Sequence, residues 1–326
     1  MNNYLEFMLY ESDVEPFGLP DGVVFLDSNE IEKIEEKERK LIEIFEKKGY
    51  KKVIPPSFEY YETFENAGGR EVARRCFSFK DKDGKLLSLR FDMTTPIARM
   101  IAHKNFSKGV LKYYYCGDVF REQPFHKGKM RQLRQCGIEL IGVNSFEADL
   151  EVVEMFAKSL ECFSKEHTIV LGNVKPYKKL IEKLALIESK KEAIENIFNK
   201  KDLPSLKVIL AQIEVDELIK KDLFELINFT GTAGELKGKT SVFSRDIKEE
   251  IENFIDFCGK LSNSIKEKVI VDFSMIKDFS YYSSLTMEGY IKDYGRPIAN
   301  GGRYDELFKR FDKDLPAIGF AIDINL

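Results

Sequence analysis

Residues 117–140 read GDVFREQPFHKGKMRQLRQCGIEL, two strand-like segments around a loop, with five Arg and Lys and His126 between the ends. Strand periodicity decides which of these side chains converge. If 131–140 is extended, Leu133, Gln135, Gly137 and Glu139 share one face, and Arg134, Cys136, Ile138 and Leu140 share the other. The preceding segment likewise gives one face to Tyr115, Gly117, Val119 and Arg121. Two such faces can form the floor of one cleft. Gln135 donates and accepts, Glu139 accepts from an ammonium, and Arg121 forks onto a carboxylate or phosphate. That set suits a zwitterionic amino acid or a phosphorylated small molecule; a solvated charged hairpin is the competing reading.

Upstream, Asp27 and Ser28 precede NEIEKIEEKERKLIEIFEKKG, a charged helical pattern with an apolar stripe at Ile31, Ile34, Leu41 and Phe45 and a stop at Gly49. VIPPSFEYYETF reads as a strand broken by Pro55 and Pro56, followed by two alternating strands around Asp83 and Gly84. In RFDMTTP, Asp92 and Thr94 share a strand face and can complete an amino-acid site. The alternative is a helix start ahead of Pro96 with Thr94 or Thr95 as cap. Arg90 and Arg99 are ambiguous in the same way. Downstream, DFSYYSS puts Tyr281 and Tyr282 on opposite faces of a strand, so only one readily enters a given pocket. NGGRYDELF reads as a glycine turn leading into a helix, with Arg303 free to bind an anion or simply to accompany an unusual backbone.

Several strands follow one another directly, which favours an α+β fold with a mixed, mainly antiparallel sheet flanked by helices. No GxGxxG follows a strand and no Walker loop is present, so a Rossmann or P-loop fold is disfavoured. Residues 175–267 turn to Lys, Glu, Leu and Ile at helical spacings, with TGTAGELKG as an internal break. They are expected to form a helical insertion or subdomain within a core made of 1–174 and 268–326. A net charge of -4 provides no global field for nucleic acid, although the 121–134 region keeps a nucleic-acid-binding module among the competing functions. The five cysteines show no CxxC pair, and the three histidines have no metal spacing. Reduced, packed thiols, no metal, no cofactor, no membrane span and a cytoplasmic location are therefore expected.

These landmarks resemble the catalytic domain of class II aminoacyl-tRNA synthetases, specifically histidyl-tRNA synthetase. VIPPSFEYYETF resembles motif 1, the family's dimer element; the 117–142 stretch resembles motif 2; and LPAIGFAIDINL resembles the beginning of motif 3. LRFDMTTPIAR, DFSYYSS and GGRYDEL are similar to histidyl-type signatures. The resemblance implies histidine recognition at Asp92, Thr94, Arg121, Gln135, Glu139, Tyr281 and Tyr282, with Asp92 standing where the synthetases usually carry Glu.

Two catalytic features depart from that pattern. Lys277 replaces the arginine that faces the reacting phosphate, losing its fixed fork, and Asn325 and Leu326 stand where motif 3 has its Glu-Arg pair. No C-terminal anticodon-binding domain is expected. This loss pattern resembles the synthetase-like regulatory subunits of ATP phosphoribosyltransferase. The resemblance implies a non-catalytic chain, homodimeric within a hetero-octamer with the short-form catalytic subunit (HisG). It would support that subunit's activity and mediate feedback inhibition by free L-histidine in the first step of histidine biosynthesis, with no tRNA partner. A divergent histidine-activating enzyme is the alternative.

Overall fold

The computed structural model describes residues 18–104, 109–122, 130–184, 186, 188–276 and 281–325; His126, Lys277 and Leu326 lie outside them. Helix α1 (Ser28–Lys47) begins with a capping box in which Asp27 and Glu30 satisfy each other's backbone N–H groups. It ends before Gly49, whose φ of +83° suits a residue without Cβ. Ile34, Leu41 and Phe45 are buried as its periodicity requires, whereas Ile31 is exposed.

The IPP segment separates β1 (Lys51–Lys52) from β2 (Phe58–Tyr60), and α2 (Tyr61–Ala73) follows. Strands β3 (Ser78–Lys80) and β4 (Leu86–Leu89) pair around the Asp83 and Gly84 turn, and with β2 they form a small antiparallel sheet. After α3 (Thr94–His103) come the paired strands β5 (Leu111–Phe120) and β6 (Gln132–Ile141), then α4 (Phe146–Glu161) and β7 (His167–Asn173).

Residues 175–266 supply α5 (Lys175–Lys183), α6 (Glu188–Lys200), α7 (Leu203–Ala211), α8 (Glu217–Asn228), β8 (Thr230–Gly231), α9 (Ala233–Lys239), α10 (Arg245–Lys260) and α11 (Asn263–Lys266). Their buried Phe198, Leu210, Leu226 and Phe254 merge with the core beneath the large sheet. The chain then returns to it through β9 (Val269–Asp272), β10 (Leu285–Ile291), β11 (Ala299–Arg303), α12 (Asp305–Lys309) and β12 (Ala317–Asp323).

Among the described residues the large sheet has nine strands in the order β1-β5-β6-β12-β11-β10-β7-β9-β8. Only β1–β5 and β7–β9 pair in parallel. The NGG stretch was expected to be a turn but lies within β11, paired on both sides; flanking strands supply the hydrogen bonds that override glycine's weak strand preference. One face of the sheet packs on α1 and α4, where Phe45 and Phe156 meet the Phe320 ring at 6.0 and 5.2 Å. The other face packs on α3 and α12 through Met93, Ile97, Leu307 and Phe308.

A second departure concerns the cysteines. Cys116 and Cys136 stand opposite each other in the β5–β6 register, Cα atoms 4.2 Å apart, and are joined as a disulfide rather than remaining thiols. Direct opposition across an antiparallel pair brings together residues that linear spacing keeps apart. No helix among the described residues is long and apolar enough to cross a membrane.

Candidate functional site

The faces anticipated for β5 and β6 do meet. Gly117 is opposite Gln135 and Tyr115 is opposite Gly137, while β12 sets Asp323 against the other side of Gln135. Gly137 is required for this close approach, since a Cβ there would collide with the Phe320 carbonyl and the Tyr115 hydroxyl. Above this floor lies a cavity of about 290 Å³, at the small end of the range for ligand pockets. Asp92, Thr94, Arg121, Gln135, Tyr281 and Tyr282 all line it. Glu139 does not; it is buried behind the wall, where Thr94 Oγ1 donates to its Oε1 at 2.7 Å and the Tyr304 hydroxyl donates to its Oε2.

Asp92 serves two purposes. Its carboxylate accepts the Thr95 N–H at 2.6 Å and the Thr95 hydroxyl at 3.1 Å, so Asp92, rather than Thr94 or Thr95, caps α3. The capping geometry turns Asp92 and Thr94 toward the cavity. Arg121 is held by its Nε donating to the Phe91 carbonyl at 3.1 Å and by stacking on the Phe91 ring at 4.9 Å. Gln135 donates from Nε2 to Asp323 Oδ1 at 2.7 Å, which fixes its amide orientation.

Tyr281 and Tyr282 were expected on opposite faces. Both reach the cavity, because they precede β10 in turn and irregular backbone and so escape strand alternation. Their ring centroids are 5.4 Å apart, and Tyr281 meets Tyr304 edge-on at 6.1 Å. Sequence reasoning missed Tyr304, Asp323, Thr286 and Asn300 in the lining. The Asp323 position was legible in principle from the alternation of AIGFAID, whereas Tyr304 required knowing that GGRYDEL crosses the sheet.

Burial controls the electrostatics. Desolvation lifts the Glu139 carboxyl to about 8 against the opposing hydrogen bonds from Tyr304 and Thr94. It also raises Asp92 and Asp323, and pushes the Tyr281 and Tyr304 hydroxyls well above the usual phenol range. Burial thus penalises the ionised form of all three carboxyl groups, a penalty that a cation in the cavity would offset.

The remaining ambiguous arginines are structural. Arg90 donates to the Pro55 carbonyl at 2.9 Å and to the Asp118 carbonyl, pinning the IPP segment. Arg99 pairs with Glu59 at 2.7 Å. Arg303 is 3% exposed, bonded to Asp149, to Asp305 at 3.2 Å and to the Val143 carbonyl at 3.3 Å, so the anion reading of this residue gives way to a buried ion-pair cluster.

Residues 22–326 match the histidyl-tRNA synthetase family. An ATP phosphoribosyltransferase regulatory subunit from Caldanaerobacter subterraneus subsp. tengcongensis is 33% identical over 310 residues, covering 94% of this chain and 80% of that protein. A histidine–tRNA ligase from Methanocaldococcus jannaschii is 31% identical over 94% of this chain and 73% of its own length. The crystal structure of an ATP phosphoribosyltransferase regulatory subunit/histidyl-tRNA synthetase from Bacillus halodurans superposes with a TM-score of 0.83 at 25% identity, covering 96% of this chain and 82% of that one. With its mainly antiparallel class II synthetase sheet and cavity floored by the motif 2 strands, the chain belongs to the histidyl-tRNA synthetase family and, within it, to the ATP phosphoribosyltransferase regulatory subunits.

Proposed function

We propose that the cavity binds free L-histidine and that the chain transmits its occupancy to the short-form catalytic subunit of ATP phosphoribosyltransferase. The observation carrying this reading is the convergence of Asp92, Thr94, Arg121, Gln135 and two tyrosines on one small cavity. Asp92 suits the ligand ammonium and Arg121 its carboxylate, while the amide and hydroxyls suit the two ring nitrogens. Glu139 acts from behind the wall, orienting Thr94 and Tyr304 and adding negative potential. Histidine inhibits by binding more tightly to one arrangement of the complex than to another. The exposed Ile54, Phe58, Tyr60 and Phe79 on the motif 1 side support a homodimer contact there, within a hetero-octamer. In this reading 175–267 is a helical subdomain carried by the core.

The deciding assay measures phosphoribosyltransferase activity of the short catalytic subunit while this chain, and then L-histidine, is titrated in. Activity is expected to rise with the chain and fall with histidine. Folded proteins that show neither response would sink the assignment.

Binding should also depend on pH. A cation in the cavity stabilises the Glu139 carboxylate and lowers its pKa from about 8, so binding below that pH releases a proton. Affinity is therefore expected to climb toward about pH 8, by at most about tenfold per pH unit for one coupled group, and then level off. Calorimetry in buffers of different ionisation enthalpy measures the released proton. The proton release should fall in Glu139→Gln; equal release by both proteins would remove Glu139 from the coupling.

A further inference from the structure

On the face of β5 and β6 opposite the cavity floor, Cys116 and Cys136 lie beneath helix α1, which brings Glu38 over them. One oxygen of Glu38 and the two sulfurs all lie within 4.8 Å of one another. We propose that Cys116, Cys136 and Glu38 form a thiol-dependent site for a soft divalent cation of the Zn²⁺ class, which closes when a disulfide oxidant takes two electrons and two protons from the cysteine pair.

Donor chemistry, geometry and charge agree. Two thiolates and a carboxylate are borderline-soft ligands that suit Zn²⁺ and disfavour Mg²⁺ or Ca²⁺. Tetrahedral coordination with Zn–S bonds of about 2.3 Å separates the two sulfurs by about 3.8 Å. Strand partners with Cα atoms 4.2 Å apart can reach that separation by side-chain rotation alone. Cys136 is fully buried while Cys116 and Glu38 are half-buried, so a cation can enter from the α1 side and keep a water as fourth ligand.

Three anionic ligands around a dication leave one negative charge, and Arg134 stands ready to balance it. Its Nε and a terminal nitrogen reach Glu38 at 2.9 and 2.8 Å, and its other terminal nitrogen reaches Asp118 at 3.3 Å. Such an outer partner also orients the ligand carboxylate.

Opening the site takes a two-electron reductant, for which a dithiol serves. Its thiolate attacks the Cys116–Cys136 bond, its second thiol resolves the mixed disulfide, and two electrons and two protons pass to the cysteine pair. Cation binding then displaces both thiol protons.

The test uses the full chain, reduced with a phosphine and titrated with Co²⁺ as an optical probe, followed by Zn²⁺ competition. One equivalent of thiolate-to-cobalt charge-transfer absorption is expected. It should be absent from the oxidised protein, absent from C116S/C136S, and shifted to at least about tenfold weaker affinity in E38Q. No charge-transfer absorption in the reduced protein, or the same absorption in C116S/C136S through Cys76, Cys162 or Cys258, overturns the site. If the double serine variant does not fold, E38Q decides: unchanged cobalt affinity overturns the three-residue site, and weakened affinity supports it.

Discussion

Asp92→Asn is expected to weaken L-histidine binding by at least about a hundredfold while leaving the fold intact, the cost of removing one partner from a buried charge-assisted contact. Asparagine keeps an oxygen for the Thr95 N–H, so the start of α3 survives. What it loses is the negative charge facing the cavity beside Arg121. Asp92→Ala would confuse the two effects by removing the cap as well. Calorimetric titration of the Asn variant, with circular dichroism to verify α3 and the remaining fold, separates ligand binding from capping. An affinity within threefold of the native protein would assign Asp92 to capping alone and leave the ammonium to another group.

The second large effect concerns stability. Arg303→Met should destabilise the fold by about 3 kcal/mol, because removing one partner of a buried ion pair leaves uncompensated charge behind. Asp149 and Asp305 both depend on this guanidinium, and Asp305 additionally accepts the Ala317 N–H at 2.8 Å. The ion pairs thereby tie β11 to α4 and to the start of α12. Burial already raises the Asp149 carboxyl with the arginine present, so the unpaired acid would protonate or draw in water. Denaturant unfolding reads the loss as a lower midpoint at unchanged slope. Histidine affinity of the folded variant should stay native, which distinguishes a structural arginine from an anion receptor.

Local pattern made part of this molecule legible. The α1 stripe, the Asp83 and Gly84 turn, and the alternation of β5 and β6 each arise from residues close in sequence. That alternation sufficed to place Gln135 and Gly117 on one floor. What stayed hidden depended on distant partners or irregular backbone. Tyr281 and Tyr282 share a cavity because the chain is not extended there, and no periodicity reports that. Asn300, Gly301 and Gly302 look like a turn until β10 and β12 supply partners on both sides. Glu139 was grouped correctly by strand face, yet its carboxylate is occupied by Thr94 and Tyr304, the latter 165 residues away. The Cys116 and Cys136 encounter likewise follows from register, between residues 20 positions apart in sequence.

The outer strands of the large sheet have a bearing on how the protein tolerates crowding. A broad sheet offers unpaired backbone at its rims, a template on which neighbouring molecules can add strands. Here β1 and β8 are two residues each, and β1 consists of the exposed Lys51 and Lys52. An intruding strand would find too few hydrogen-bonding positions to gain a foothold and, at one rim, two positive charges against it. The sheet can therefore be wide enough to carry a ligand floor at its centre without becoming a seed for fibrous self-association.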